Sequence, residues 1–176
     1  MLLPVARPSR GPTSNPTSAG YSGTPLPAKL GIKEGHHVAI LYGPTRFKLG
    51  KLPTGVVEHL ALPTPDEPLL DVIVAFVQHR VDLVDRIVTC RPRMTQAGGL
   101  WIAWPKKASK VPTDITEDTV REVALPTGLV DNKVCAIDAV WSGLRLVIRV
   151  DQRATPARPA KPKPAPVKTR RRASPR

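Results

Sequence analysis

Lys106 and Lys107 close an apolar run, Gly98-Gly-Leu-Trp-Ile-Ala-Trp-Pro-Lys-Lys107, and two cations at the carboxyl end of a buried strand are placed to hold a phosphate or carboxylate. The amino terminus of a following helix would help them, because its unpaired N–H groups favour negative charge. Asn132, Lys133 and Trp141 extend this candidate ligand set, since an aromatic ring beside an amide and an ammonium suits a planar ring or a partner surface. The same residues have a structural use. Paired lysines make a solvated strand exit, and a tryptophan beside a tight turn covers the end of a core.

Other chemistry finds less support, and the expected catalytic, metal and cofactor sets are empty. His36 and His37 are adjacent and point to opposite faces of a strand, while His59 and His79 lack a matching cysteine or acidic partner. Ser22 in Gly20-Tyr-Ser-Gly23 lacks both the GxSxG pattern of a nucleophile elbow and its preceding strand. Asp71 reads as the exposed start of a strand rather than a catalytic acid. Cys90 and Cys135 fit neither a CxxC pair nor a zinc spacing, so a reducing cytoplasm is the expected setting.

Charge separates the chain into parts. Of a net +13, residues 19–150 hold 16 basic and 13 acidic groups, whereas residues 151–176 hold nine basic groups and one acid. The tail's Lys161, Lys163, Lys168, Arg170, Arg171 and Arg172 are candidate nucleic-acid contacts, and with no base-reading element such binding would be weak and nonspecific. A solubilising tail is the plain alternative. Arg171-Arg172-Ala173-Ser174 also fits a basic-directed phosphorylation site at Ser174. Residues 1–18, rich in Pro and Ser, and the Pro/Ala/Lys/Arg-rich residues 151–176 bury too little to offset ordering and are expected to be disordered. That leaves residues 19–150 as one domain. The start is too short and too proline-broken for a signal peptide, and no run approaches the roughly 18 apolar residues of a membrane span, so no membrane partner is expected.

The elements that would position these groups follow from period and punctuation. Apolar runs predict strands over His37–Tyr42, Val56–Leu62, Leu70–Val77 and Leu100–Trp104, and Gly or Pro bounds each. A helix is expected over Arg80–Arg91 with Val81, Val84, Ile87 and Val88 on its buried face. Another is expected over Ile115–Ala124, capped by Asp114 with Glu117. A hairpin pairs Lys133–Asp138 with Leu144–Val150. This order predicts an α/β fold: three layers, Rossmann-like, with a mostly parallel sheet of about six strands and a C-terminal antiparallel hairpin.

The second half, with its Asp71-Val-Ile-Val-Ala-Phe76 strand, helix, Gly-Gly-Leu-Trp strand, helix and hairpin, resembles the S-adenosylmethionine methyltransferase fold. The glycine-rich loop that this resemblance implies after the first strand is replaced by Tyr42-Gly43-Pro44-Thr45. The ribose-binding acid it implies at the end of the second strand is also missing, since that strand ends Ala61-Leu62-Pro63 and the nearest acids are Asp66 and Glu67. Closer at hand, Ala19-Gly-Tyr-Ser-Gly-Thr-Pro-Leu26, Gly98–Lys107, Thr116–Val123, Leu125–Asp138 and Trp141-Ser-Gly-Leu-Arg145 resemble a bacterial family, domain-of-unknown-function family 3052. That resemblance implies a compact α/β domain and carries no activity with it. The leading expectation is a small cytoplasmic binding or regulatory domain without catalysis, its partner an unidentified protein or anionic ligand. The alternatives are a divergent methyltransferase binding S-adenosylmethionine through backbone near Tyr42–Thr45, and weak nucleic-acid binding by the tail.

Overall fold

The computed structural model describes residues 23–153. The expectations for residues 1–18, for the tail cations from Lys161 to Arg172 and for Ser174 lie outside the described residues. A short helix, α1 (Leu26–Leu30), leads into strands β1 (His37–Leu41), β2 (Val57–His59) and β3 (Leu70–Phe76). Helix α2 (Arg80–Cys90), strand β4 (Met94–Pro105), helix α3 (Glu117–Ala124) and strands β5 (Leu129–Ala136) and β6 (Trp141–Ile148) follow. The sheet order is β2-β1-β3-β4-β6-β5. The first four strands are parallel, and β6 runs antiparallel to both β4 and β5. This is the expected Rossmann-like α/β arrangement with a closing hairpin.

Each face of the sheet buries its own apolar layer. Helices α2 and α3 cover one through Leu83, Ile87 and Val120, packed on Ile73, Ile102 and Leu144. The other is covered by α1 and the irregular segment after β1, where Leu30 and Leu49 meet Val74, Phe76 and Trp101. The Trp101 indole N–H donates to the Leu30 carbonyl at 3.0 Å, which ties α1 to the centre of the sheet.

Several boundaries differ from those the sequence predicts. β2 has three residues rather than seven, as suits an edge strand whose Val57 is exposed and whose next residue, Leu60, is 91% exposed. β4 has 12 residues and continues through Gly98-Gly99, which read as a break, with its register against β3 shifting between Met94 and Gly99. Those glycines are there for close approach: a Cβ on Gly98 would lie 3.0 Å from the Leu70 carbonyl oxygen, and one on Gly99 would lie 2.4 Å from Arg145 Nε.

Helix α3 starts at Glu117, and its capping box is made by Thr116 and Thr119 rather than Asp114 and Glu117. Asp114 instead caps the other helix, its carboxylate accepting from Arg80 N–H at 2.8 Å. The buried face of α2 also differs. Leu83, Ile87 and Cys90 are buried, whereas Val81, Val84 and Val88 are 79%, 47% and 60% exposed. The helix carries two apolar stripes, and the one with the larger Leu and Ile side chains removes more area from water when turned inward.

Cys90 lies in that buried stripe, and burial pushes its thiol from an ordinary 9.0 up to about 11. A raised folded pKa stabilises the protein below the unfolded value and loses that contribution as pH climbs towards the folded one. Urea unfolding should therefore show the parent chain losing about 2 kcal/mol more than Cys90→Ala between neutral pH and about pH 10.5. Parallel pH profiles for the two proteins would refute this.

Candidate functional site

In open α/β sheets the ligand crevice lies outside the carboxyl ends of the strands, at the point where successive connections turn to opposite sides. Here β1 leads outward to β2 and β3 leads the other way to β4, so that point falls between β1 and β3. The chain leaves β1 through Tyr42, which takes φ 58, followed by Gly43 and Pro44. This left-handed backbone is uncommon for a bulky residue, and it holds the Tyr42 ring 61% exposed at the mouth of the crevice.

Arg86 reaches that ring from α2, with its guanidinium 3.4 Å from the ring centroid. Its NH1 donates to Asp85 Oδ2 at 2.6 Å, while its Nε is buried without a hydrogen-bond partner. Gln78 and His79 form the turn from β3 into α2, and the segment before α3 clamps this turn. Thr113 Oγ1 donates to the Gln78 carbonyl at 2.7 Å beside the Asp114 cap. Tyr42, Gln78, His79, Asp82, Arg86 and Trp141 line a cleft of about 380 Å³.

A second cleft, of about 680 Å³, lies towards β2 on the far side of the Tyr42-Gly43-Pro44 turn, lined by Phe47, Lys48, Glu58 and His59 among others. Between the clefts stands an aromatic wedge. Phe76, 4% exposed, packs edge-on against Phe47 with centroids 4.8 Å apart and against Trp141 at 4.9 Å. Its ring lies directly against the turn, since a Cβ on Gly43 would be 3.2 Å from it.

The structure brings together some of the residues singled out from the sequence. Trp141 pairs with Pro105, and the next residue, Lys106, donates its backbone N–H to Val140 O at 2.7 Å and its ammonium to Asp138 O at 2.5 Å. Lys106 and Trp141 are therefore neighbours at the carboxyl end of β4. Lys107 stands beside them, exposed, opening a 3-10 turn over Lys107–Ser109. Asn132 and Lys133 lie elsewhere. Asn132 sits where the β5 register shifts, and Lys133 pairs with Arg145, four steps along β6 from Trp141, about 14 Å at the usual strand rise. The Lys133 ammonium donates to Lys29 O at 2.7 Å.

Three readings of individual residues differ from what the structure shows. His79 does have an acidic neighbour, its Nδ1 lying 3.9 Å from Asp114 Oδ1, while His59 Nε2 lies 3.0 Å from His37 Nδ1 and no group of three metal-ligating side chains forms among the described residues. An acid does stand near the end of the second strand: because β2 stops at His59, Glu58 lines the larger cleft, and Asp66 and Glu67 are not the relevant acids. Asp71 is half-buried rather than exposed and accepts from His37 N–H at 3.0 Å and from Thr95 Oγ1 at 3.2 Å. Arg86 was missed altogether. Its signal was its place three residues after Leu83, beside the stripe that is buried.

Known structures share this fold at low identity. A SAM-dependent methyltransferase from Aquifex aeolicus superposes with a TM-score of 0.50 and 12% identity, covering 69% of this chain and 87% of that one. For fibrillarin from Aeropyrum pernix, whose structure holds natively bound S-adenosyl-L-methionine, the TM-score is 0.44 and the identity 13%, over 73% of this chain and 70% of that one. No curated protein matches the sequence. Residues 57–150, more than half of the chain and including β2 through β6, match the family described as Protein of unknown function (DUF3052), and the chain belongs to that family.

Proposed function

We propose that this chain is a small cytoplasmic binding or regulatory domain on a methyltransferase fold, without catalysis of its own. On this reading it receives an anionic ligand or a partner protein at the carboxyl edge beside Lys106, Lys107 and Trp141. The observation that carries the reading is the aromatic wedge. Phe76 rests on Gly43 and on the edges of Phe47 and Trp141, so an aromatic ring lies directly against the turn after β1 and divides the crevice into two separate clefts. The segment that leaves Tyr42 is irregular as far as β2, so no helix amino terminus meets a ligand there. Among the described residues no helix is long and apolar enough to cross a membrane.

One observation favours a second reading, a divergent S-adenosylmethionine-dependent enzyme: Glu58 offers a carboxylate on the cleft beside the turn, where a ribose diol could be held. Calorimetric titration of the full chain with S-adenosylmethionine separates the two. The non-catalytic reading expects no heat of binding up to millimolar cofactor. Micromolar binding that weakens at least tenfold in Glu58→Gln would overturn it in favour of the enzyme.

A further inference from the structure

Away from the carboxyl edge, towards the amino ends of β1 and β3, a cleft of about 290 Å³ is lined by Lys29, Lys33, Lys133 and Arg145, with His36 and Asp71. Arg145 is its centre. It projects from β6 on the face covered by α1, with its Nε buried and without a hydrogen-bond partner. No carboxylate among the described residues pairs with it. Its guanidinium lies flat across Gly99: a Cβ there would come within 2.4 Å of Nε and 2.8 Å of Cζ, so any other residue would displace it. Partial desolvation lowers its pKa from the ordinary arginine value, and repulsion from the Arg153 charge adds to the shift.

The surrounding groups are fixed by the fold. Lys133 is anchored to the carbonyl of Lys29 at the end of α1, and the Lys33 N–H donates to His36 Nδ1 at 3.2 Å. Asp71 is the one acid lining the cleft, and both its oxygens are engaged elsewhere, by His37 N–H and Thr95 Oγ1. Arg145, Lys33 and Lys133 thus face a single carboxylate. A lone carboxylate ligand would leave most of that excess uncompensated, whereas a phosphoryl dianion offsets most of it and offers oxygens in pairs to a planar guanidinium.

We propose that this cleft is a binding site for the phosphoryl group of a small phosphorylated molecule, with Arg145 gripping two oxygens and Lys33 and Lys133 supplying the remaining charge. The site is independent of the carboxyl edge and does not rest on the function proposed above. The test is a titration of the isotope-labelled full chain with inorganic phosphate, 3-phosphoglycerate and acetate, followed by backbone amide shifts of Gly31 and Ala97 and by the Trp101 indole N–H. Saturable shifts with the two phosphates and none with acetate are expected. Tighter binding of 3-phosphoglycerate identifies an organic phosphate as the ligand, and equal affinity identifies free phosphate. Arg145→Gln should weaken binding at least tenfold. Lys33→Gln with Lys133→Gln, which leaves the core untouched, should weaken it by a similar factor and guards against a folding defect in the arginine variant. Shifts that never saturate, or affinities unchanged in both variants, would overturn the proposal.

Discussion

Trp101→Ala should lower the unfolding free energy by about 4 to 5 kcal/mol, the largest effect expected of any single substitution in this chain. Trp101 is fully buried at the middle of β4, with Gly143 beneath it, where a Cβ would already lie 3.2 Å from the indole. Truncation removes that area from the core, leaves a cavity between the sheet and α1, and strands the Leu30 carbonyl that the indole N–H satisfies at 3.0 Å. Small domains are stable by only about 5 to 15 kcal/mol, so the variant should be near its folding threshold. Trp101→Phe keeps most of the packing and loses the hydrogen bond, and should cost about 2 kcal/mol. Urea denaturation of the three proteins measures this. A loss below about 2 kcal/mol for the alanine variant would mean that α1 does not seal this face.

Phe76→Ala should cost about 3 to 4 kcal/mol, and its effect bears on function as well as stability. Phe76 ends β3 and is the shared partner of two edge-on aromatic contacts, to Phe47 and to Trp141. A double-mutant cycle over Phe76 and Trp141 should return a coupling of about 1 kcal/mol, because such ring pairs add to plain area burial. Removing the ring also enlarges the cleft that it lines beside Gln78 and His79. If the wedge keeps this crevice from serving as a cofactor groove, Phe76→Leu, which fills the space without the ring edges, should retain most of the stability. Additive losses in the cycle would show that the rings fill space without acting as a pair.

The order and type of the elements could be read in the chain because the signals are local. Unbroken apolar runs such as Leu70–Phe76 report strands covered on both faces, and Thr116 to Thr119 caps its helix within one turn. Boundaries set by distant partners could not be read so. The continuation of β4 through Gly98-Gly99 depends on β3 carbonyls and on an arginine 46 residues away in sequence. Asp114 read as a cap for the nearest helix and caps α2, 34 residues back.

The candidate site divides in the same way. Lys106 and Trp141 could each be singled out from the sequence, but their adjacency rests on the long-range pairing of β4 with β6. Glu58 was hidden by a strand end placed three residues too late, and Arg145 by its plain setting within an apolar strand. By itself the sequence determined the α/β class, the strand and helix order and the close charge balance of residues 19–150. Hydrophobic period and turn residues act over a few positions, and they specify elements wherever those lie. The tertiary structure alone decided which stripe of α2 turns inward, that Phe76 wedges the crevice, and that Arg145, laid across Gly99, shares a cleft with Lys33 and Lys133. Those outcomes depend on which surfaces fit in three dimensions, where residues far apart in the chain compete for one space.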